Sequence, residues 1–483
     1  MRLLPSRLFL SFLGFSVVFA GATPTAAAAG APPASASDHA RIVAHWTPER
    51  MAAAIPRDLV IDERGQGYLR KPDGSLEPYG HTIVAAALPV PMAKPTGDKT
   101  PPSITNLDPA NGATIAATSY TFKATVKDAS GVRSVSFKVG KSGAARQSFS
   151  AALTSNDVWA VSLQGLTDGD WVWNVVAKDK AGNTATSPDA AFTIATSGGG
   201  GGGSNLVTNA EWIGGGTVQT AVGRLYFEMP ANAQRAKWNG YVCSGTVVTD
   251  ATSGRSVIQT AAHCVYDDAN KAFARNVMFI PDQAATKGTG TDLNCGNDPL
   301  GCWTPTFGVV DVNWTSRTFP DNVKWDYAYY VAYDGAHQVG YADKGGVLDA
   351  AAGSLAISFN VPAFDVANSD TDYTDAFGYS YSEDPNLMYC AEDLHQLDDA
   401  DWWLGSCGLS GGSSGGPWVQ PLKNGAGPLI SVNSWGYTNQ PGMAGPKLWG
   451  TTAQSVFACA TQKSLSGTPA DGDEGLIYPD GCK

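Results

Sequence analysis

The 483-residue sequence predicts an all-β protein built in more than one unit. Two observations carry this. Between about Pro102 and Thr196, apolar residues alternate with polar ones in runs broken by turn residues. Beyond six consecutive glycines, Gly198 to Gly203, the chain holds short strand-like runs rich in Gly and aromatic residues. Period-two alternation puts every second side chain on one face, which is what a half-buried antiparallel strand needs. At about 150 residues per domain, the length implies two or three folded units with connectors. Lys+Arg 32 against Asp+Glu 44 gives a formal charge of -12, which argues against an electrostatic grip on nucleic acid or anionic lipid.

Taken from the N-terminus, Arg2 and Arg7 precede an apolar run from Leu8 to Ala20 and small residues from Gly21 to Gly30. This is a signal-peptide pattern, assigned to residues 1–22. The run falls short of the ~20 residues that span a bilayer, so the product is expected to be secreted, extracellular or periplasmic, without membrane insertion. Residues 23–101 read as a pro-region with a helix-compatible stretch at Thr47 to Ala54 and a Pro-rich end at Pro89, Pro91, Pro95, Pro101 and Pro102; a small independent module is the alternative.

Residues 102–196 carry the alternation: Tyr120, Phe122, Ala124, Val126; Val135, Phe137, Val139; Trp159, Val161, Leu163; Trp171, Trp173, Val175, Ala177. Roughly seven short strands over about 95 residues suit a β-sandwich, with Trp159, Trp171 and Trp173 in its core. The segment Asp179-Lys180-Ala181-Gly182-Asn183 resembles the strand-turn signature of bacterial Ig-like domains, of the cysteine-free kind. Residues 197–204 cannot bury enough apolar surface to offset backbone entropy and read as a flexible tether. The unit at 205–483 holds all eight cysteines, Cys243, Cys264, Cys295, Cys302, Cys390, Cys407, Cys459 and Cys482. An even count in an exported chain reads as four disulfides, with about 105 connectivities open on count alone. No C-x-x-C pair or His/Cys cluster points to a metal.

Within this unit three stretches interlock: Thr260-Ala261-Ala262-His263-Cys264, Trp325-Asp326-Tyr327-Ala328, and Gly412-Ser413-Ser414-Gly415-Gly416-Pro417, with Ser431-Val432-Asn433-Ser434-Trp435-Gly436 downstream. A serine hydroxyl is a poor nucleophile until a base takes its proton. Imidazole, with an unperturbed pKa of about 6.5, can do so at ordinary pH. Glycines around the serine let successive N–H groups converge on a developing oxyanion.

In that order these motifs resemble the chymotrypsin family of serine peptidases. The resemblance implies a trypsin-like pair of antiparallel β-barrels behind the Ig-like sandwich, and serine endopeptidase activity. His263 would be the general base and acid, Asp326 its orienter, and Ser414 the nucleophile. The N–H groups of Gly412 and Ser414 would form the oxyanion hole. Ser434, Trp435 and Gly436 would pair with an extended substrate and wall the first specificity pocket, Ser434 also supporting the carboxylate. The chain order His, Asp, Ser differs from that of α/β-hydrolases and subtilisins. Family positions imply a Cys243–Cys264 disulfide; adjacency suggests Cys295–Cys302, Cys390–Cys407 and Cys459–Cys482. No cofactor or metal is implied, the partners would be protein or peptide substrates, and a monomer is expected.

The chain also departs from the family. Ser413 stands where animal zymogens keep an Asp for a freed N-terminal amine, so activation by such an insertion is not expected. Gly408, six residues before the nucleophile, does not support basic selectivity in the first pocket, and Asn433 in place of a His does not support glutamate selectivity. His39, His45, His81, His337 and His395 read as surface or structural residues. Asp398, Asp399 and Asp401, ahead of Trp402-Trp403, read as a solvated loop. The rival from another class is a catalytically silent homologue that binds or adheres through the sandwich.

Overall fold

Among the described residues, strands make up most of the regular structure, with two helices of ten residues and otherwise short helices and helical turns. The computed structural model describes residues 36–81, 98–115, 120–143, 146–155, 157–163, 166, 169–194, 206–289, 292, 294–342, 344–366 and 369–483. The signal-peptide pattern, most of the Pro-rich stretch and the Gly198 to Ser204 tether lie outside the described residues.

The sandwich forms as the alternation requires. Ala152–Ser155, Val158–Leu163, Tyr120–Lys127 and Ser103–Asp108 make one sheet. Ala113–Ile115, Ala190–Ile194, Gly169–Asp179, Val132–Lys141 and Gln147–Ser150 make the other, with Thr184–Thr186 on the flank of Gly169–Asp179. Phe122, Val126, Phe137, Trp173 and Val175 are fully buried between them, with Trp159 and Trp171 partly buried against the same core. Trp173 takes Phe122 and Phe137 edge-on, at 5.0 and 5.4 Å between ring centroids. The structure has more strands than the seven expected, because Ala113–Ile115 and Thr184–Thr186 are three-residue pieces too short to show alternation.

In the C-terminal unit the largest sheet runs His337–Gln338, Cys302–Trp303, Arg275–Pro281, Val222–Pro230, Trp238–Val248, Arg255–Thr260, Ala328–Tyr333, Phe307–Asp311 and Gly475–Tyr478. A second runs Val207–Glu211, Met388–Asp393, Tyr373–Gly378, Pro417–Val419 and Leu429–Val432. A third contains His395–Gln396, Asp401–Leu404, Met443–Pro446 and Trp435–Tyr437. Each hydrogen-bonded order is an open path, whereas the family resemblance implied two closed barrels. The first ladder ends on the two-residue strands Cys302–Trp303 and His337–Gln338, too short to carry pairing round to the opposite edge.

The four disulfides join Cys243 to Cys264, Cys295 to Cys302, Cys390 to Cys407 and Cys459 to Cys482. These are the pairings given by family position and adjacency. Cys243–Cys264 ties the strand Trp238–Val248 to the helical turn Ala262–Cys264 that carries His263.

The described part of the N-terminal region, residues 36–81, folds onto this unit. Thr47 caps the helix Pro48–Ala53 by accepting from the Arg50 N–H, with Pro48 in the first turn where its missing donor costs nothing. Trp46, just before the cap, is 1% exposed; it donates from Nε1 to the Asn276 carbonyl at 2.6 Å and packs against Tyr226. Beyond the helix, Ile55–Pro56 joins the first sheet alongside Trp238–Val248, and Asp58–Ile61 joins the third alongside Trp435–Tyr437. Gly67–Arg70 and Leu76–Pro78 continue that third sheet outward. Trp46→Ala should weaken the docking of this region by about 3 kcal/mol, the usual scale for emptying a buried aromatic site. Limited proteolysis should then cut residues 36–81 faster than in the parent chain; an unchanged cleavage rate would show that Trp46 does not hold them.

Candidate active site

His263 sits in the one-turn helix Ala262–Cys264 at the end of strand Arg255–Thr260. Asp326 follows the turn Val323–Trp325, two residues before strand Ala328–Tyr333, which pairs with Arg255–Thr260. The strand pairing brings the two together across 63 residues. Asp326 Oδ1 accepts the His263 backbone N–H at 2.8 Å, and Oδ2 lies 2.7 Å from His263 Nδ1. A carboxylate only accepts, so Nδ1 carries a proton, and in the neutral imidazole it is Nε2 that offers the lone pair. Ser434 Oγ donates to the same Oδ2 at 2.5 Å, as the resemblance implied. Both His263 and Asp326 are fully buried.

Ser414 lies in the turn ahead of strand Pro417–Val419. Gly412 has φ +96° and Gly415 φ +81°, and a Cβ on Gly415 would come within 2.0 Å of Thr260 Oγ1 and 2.5 Å of the Ser244 carbonyl. Only glycine fits there. The neighbouring N–H groups of Ser413, Gly415 and Gly416 are used by Ser410, Asn433 and Ser413 carbonyls. Those of Gly412 and Ser414 have no backbone acceptor among the described turn and loop contacts, so this turn leaves two donors where an oxyanion could form.

Two residues that the sequence reading did not use for the site hold this turn. Asn433 donates from Nδ2 to the Ser413 and Phe377 carbonyls and accepts from Trp418 Nε1, all within 2.9 Å. Ser244 donates from Oγ to the Gly412 carbonyl at 2.9 Å and from its N–H to the Ser414 carbonyl at 2.7 Å. Asn433 entered the sequence reading only as a missing specificity His.

The hydrogen bond of the Ser414 hydroxyl is the least expected feature. Ser414 Oγ donates to the Arg57 carbonyl at 3.2 Å, while His263 Nε2 is buried with no hydrogen-bond partner among the described residues. Arg57 is the residue between Ile55–Pro56 and Asp58–Ile61, so this segment crosses the cleft and touches both edges. It runs parallel to each: Ile55 and Pro56 register with Tyr241 and Val242, and Leu59, Val60 and Ile61 with Trp435, Gly436 and Tyr437. The edge read as substrate-binding at Trp435 and Gly436 is therefore already paired. Period-two reading could not show this, since a four-residue strand inside a presumed pro-region gives no sign of its partner.

The Arg57 side chain is fully buried. It reaches Asp267 Oδ2 at 3.4 Å and Tyr79 Oη at 2.6 Å and lies over the Tyr79 and Tyr241 rings. Tyr79 in turn donates to Asp268 Oδ1 at 2.5 Å.

The remaining candidates fall as follows. His39 contacts Thr304, His45 Glu228, His81 Asp321 and His395 Asp365, while His337 stacks on Trp303 at 4.3 Å. Asp398 and Asp399 are exposed, but the solvated-loop reading fails for Asp401. It is fully buried in strand Asp401–Leu404, and burial pushes its carboxyl up to about 8. All four residues of that strand are buried, so no apolar-polar alternation marks it in the sequence. Cys243 and Cys264 beside His263 are bonded to each other and offer no thiolate to a metal. In the sandwich, carboxylate oxygens of Asp98, Asp128 and Asp179 lie within 4.8 Å of one another.

Asp58, on the crossing segment, gives the cleft a pH dependence. Burial pushes its carboxyl up to about 6, against the opposing influence of Arg70 and His263. The unfolded value is about 3.9, so the seated form binds more protons, and this contribution is lost as pH rises through about 6. Asp58→Asn mimics the protonated carboxyl. Its melting temperature should exceed the parent's by more at pH 7.5 than at pH 4.5, and a pH-independent difference would contradict the assignment.

Residues 102–189 match the family described as Bacterial Ig domain. No match was found among curated proteins. Among solved structures, a thermostable serine protease, AL20, from an extremophilic microorganism is 24% identical, covering 52% of this chain and 100% of that one at a TM-score of 0.39. Fibronectin(III)-like modules of Clostridium thermocellum CbhA are 22% identical, covering 20% of this chain and 97% of theirs at a TM-score of 0.16. An endo-beta-1,4-mannanase from Thermotoga petrophila is 16% identical, covering 20% of this chain and 21% of that one at 0.17.

Proposed function

We propose that the chain is a secreted serine endopeptidase, made in a latent form whose N-terminal region lies across its own cleft. The observation that carries the reading is the relay Ser434–Asp326–His263 beside a serine in a glycine turn. Four disulfides support an oxidising compartment, and no helix among the described residues is long and apolar enough to cross a membrane.

In the active form, His263 Nε2 takes the Ser414 proton as Oγ attacks a peptide carbonyl carbon. Asp326 holds the ring in the Nδ1–H tautomer and stabilises the imidazolium that forms. The Gly412 and Ser414 N–H groups receive the oxyanion. The intermediate collapses as His263 returns the proton to the leaving amine, and water repeats the cycle on the acyl-enzyme. The largest sheet supplies His263 and Asp326 and the other two supply Ser414 and Ser434, the division expected of two trypsin-like halves. Ser434, Trp435 and Gly436 receive the substrate backbone once their present partner, Leu59 to Ile61, leaves.

Latency follows from the same contacts. The Ser414 hydroxyl is directed at a carbonyl oxygen and not at His263 Nε2, so the proton path to the base is interrupted. Ser413 offers no carboxylate to a new N-terminal amine, which leaves withdrawal of the crossing segment as the activating event. Ser414→Ala should abolish peptide hydrolysis and fluorophosphonate labelling, lowering kcat by roughly 10⁶, with melting behaviour retained because a single buried oxygen is lost. Wild-type-like hydrolysis by the purified variant would refute Ser414 as the nucleophile, and an unlabelled parent after removal of residues 36–81 would favour a silent binding protein.

A further inference from the structure

Arg57 is an unusual residue to bury. A guanidinium out of water carries a penalty of several kcal/mol unless it is well paired, yet here it has one long contact to Asp267, one to a tyrosine hydroxyl, and an Nε with no partner. The pocket it fills is acidic from two positions. Asp267 Oδ1 is used by the Ala269 and Asn270 N–H groups, which leaves Oδ2 for the cation. Asp268 Oδ2 is used by the Phe319 N–H and Asn322 Nδ2, which leaves Oδ1 for Tyr79. Tyr79 and Arg57 both belong to the N-terminal region. When that region leaves, Asp267 Oδ2, Asp268 Oδ1 and the Tyr241 ring stay behind without the Arg57 guanidinium; Lys271 feels both carboxylates, but its ammonium is held by the Thr315 and Arg317 carbonyls.

We infer that Asp267, Asp268 and Tyr241 form a cation subsite next to the scissile bond, which Arg57 fills in the latent form and an Arg or Lys side chain of the substrate fills in the active one. The inference rests on the peptidase reading and adds a substrate class to it. The Arg57 carbonyl meets Ser414 Oγ, so the subsite serves a residue adjoining the bond that is cut. Its walls are Tyr241, at the edge of the first sheet, and the loop after His263, and they stand opposite the Trp435–Tyr437 edge proposed for the acyl side. The subsite therefore reads the leaving-group side. It is separate from the first specificity pocket, where Gly408 gives no basic selectivity. Two carboxylates and an aromatic face are the groups that suit a guanidinium, whose planar fork of N–H donors needs acceptors and a π surface.

The test uses the full-length chain with Arg57→Ala, Arg57→Lys and Asp267→Asn, the last still able to cap Ala269 and Asn270 if loss of Arg57 impairs folding. Fluorophosphonate labelling of Ser414 should be faster than in the parent for Arg57→Ala and Asp267→Asn, by about tenfold or more as for a lost charge-assisted hydrogen bond, and close to the parent rate for Arg57→Lys. In the Arg57→Ala background, quenched peptides with Arg on the leaving-group side should be cut faster than their Ala counterparts. Adding Asp267→Asn should shrink that ratio about tenfold or more. Labelling at Ser414 with an Arg/Ala ratio near one, or one indifferent to Asp267→Asn, would overturn the subsite and leave the peptidase standing. Absence of labelling in every variant would overturn both.

Discussion

The site depends on one buried carboxylate. Asp326 accepts from the His263 main chain, the His263 ring and the Ser434 hydroxyl, and so connects the largest sheet to the strand edge of the third. A buried carboxylate with an unfilled oxygen would be costly. Three donors on two oxygens fix His263 in one tautomer and one orientation. The sheet pairing that delivers Asp326 and the disulfide that anchors the His263 turn both serve this contact.

Against that fixed half, the serine's half is held by hydrogen bonds to the main chain of its turn and meets the segment that lies in the cleft. Ser244 and Asn433 clamp the turn from both sides, and Gly412 and Gly415 take conformations that a side chain would obstruct. The Ser414 hydroxyl itself donates to the Arg57 carbonyl. Local geometry is thus built for reaction, while the hydroxyl is engaged elsewhere. On the proposed reading, a segment that occupies the Ser414 hydroxyl leaves the contacts among Ser434, Asp326 and His263 intact beneath it, so its departure requires no rebuilding.

Much of this was legible in the sequence, and for identifiable reasons. The sandwich strands showed themselves because Phe122, Phe137 and Trp173 recur with period two, and the candidate site because His263, Asp326 and Ser414 each sit in a short pattern with a chemical rationale. Thr47 followed by Pro48 marked a helix start. What could not be read was partnership across distance. Nothing local says that Asp58–Ile61 pairs with a strand some 370 residues later, that Arg57 seeks Asp267, or that Asn433 braces the serine turn. Asp401 misled because all four residues of its strand are buried and no alternation marks it, and barrel closure was inherited from a resemblance and not from any feature of this chain.

Covalent reactivity at Ser414, measured by mass spectrometry in the intact chain and again after residues 36–81 have been removed by limited proteolysis, bears on the whole account at once. The account predicts that a fluorophosphonate modifies Ser414 alone, slowly in the intact chain and much faster once the crossing segment is gone. Modification at the same rate in both states would contradict the inhibitory strand, and an unmodified Ser414 in both would contradict the nucleophile.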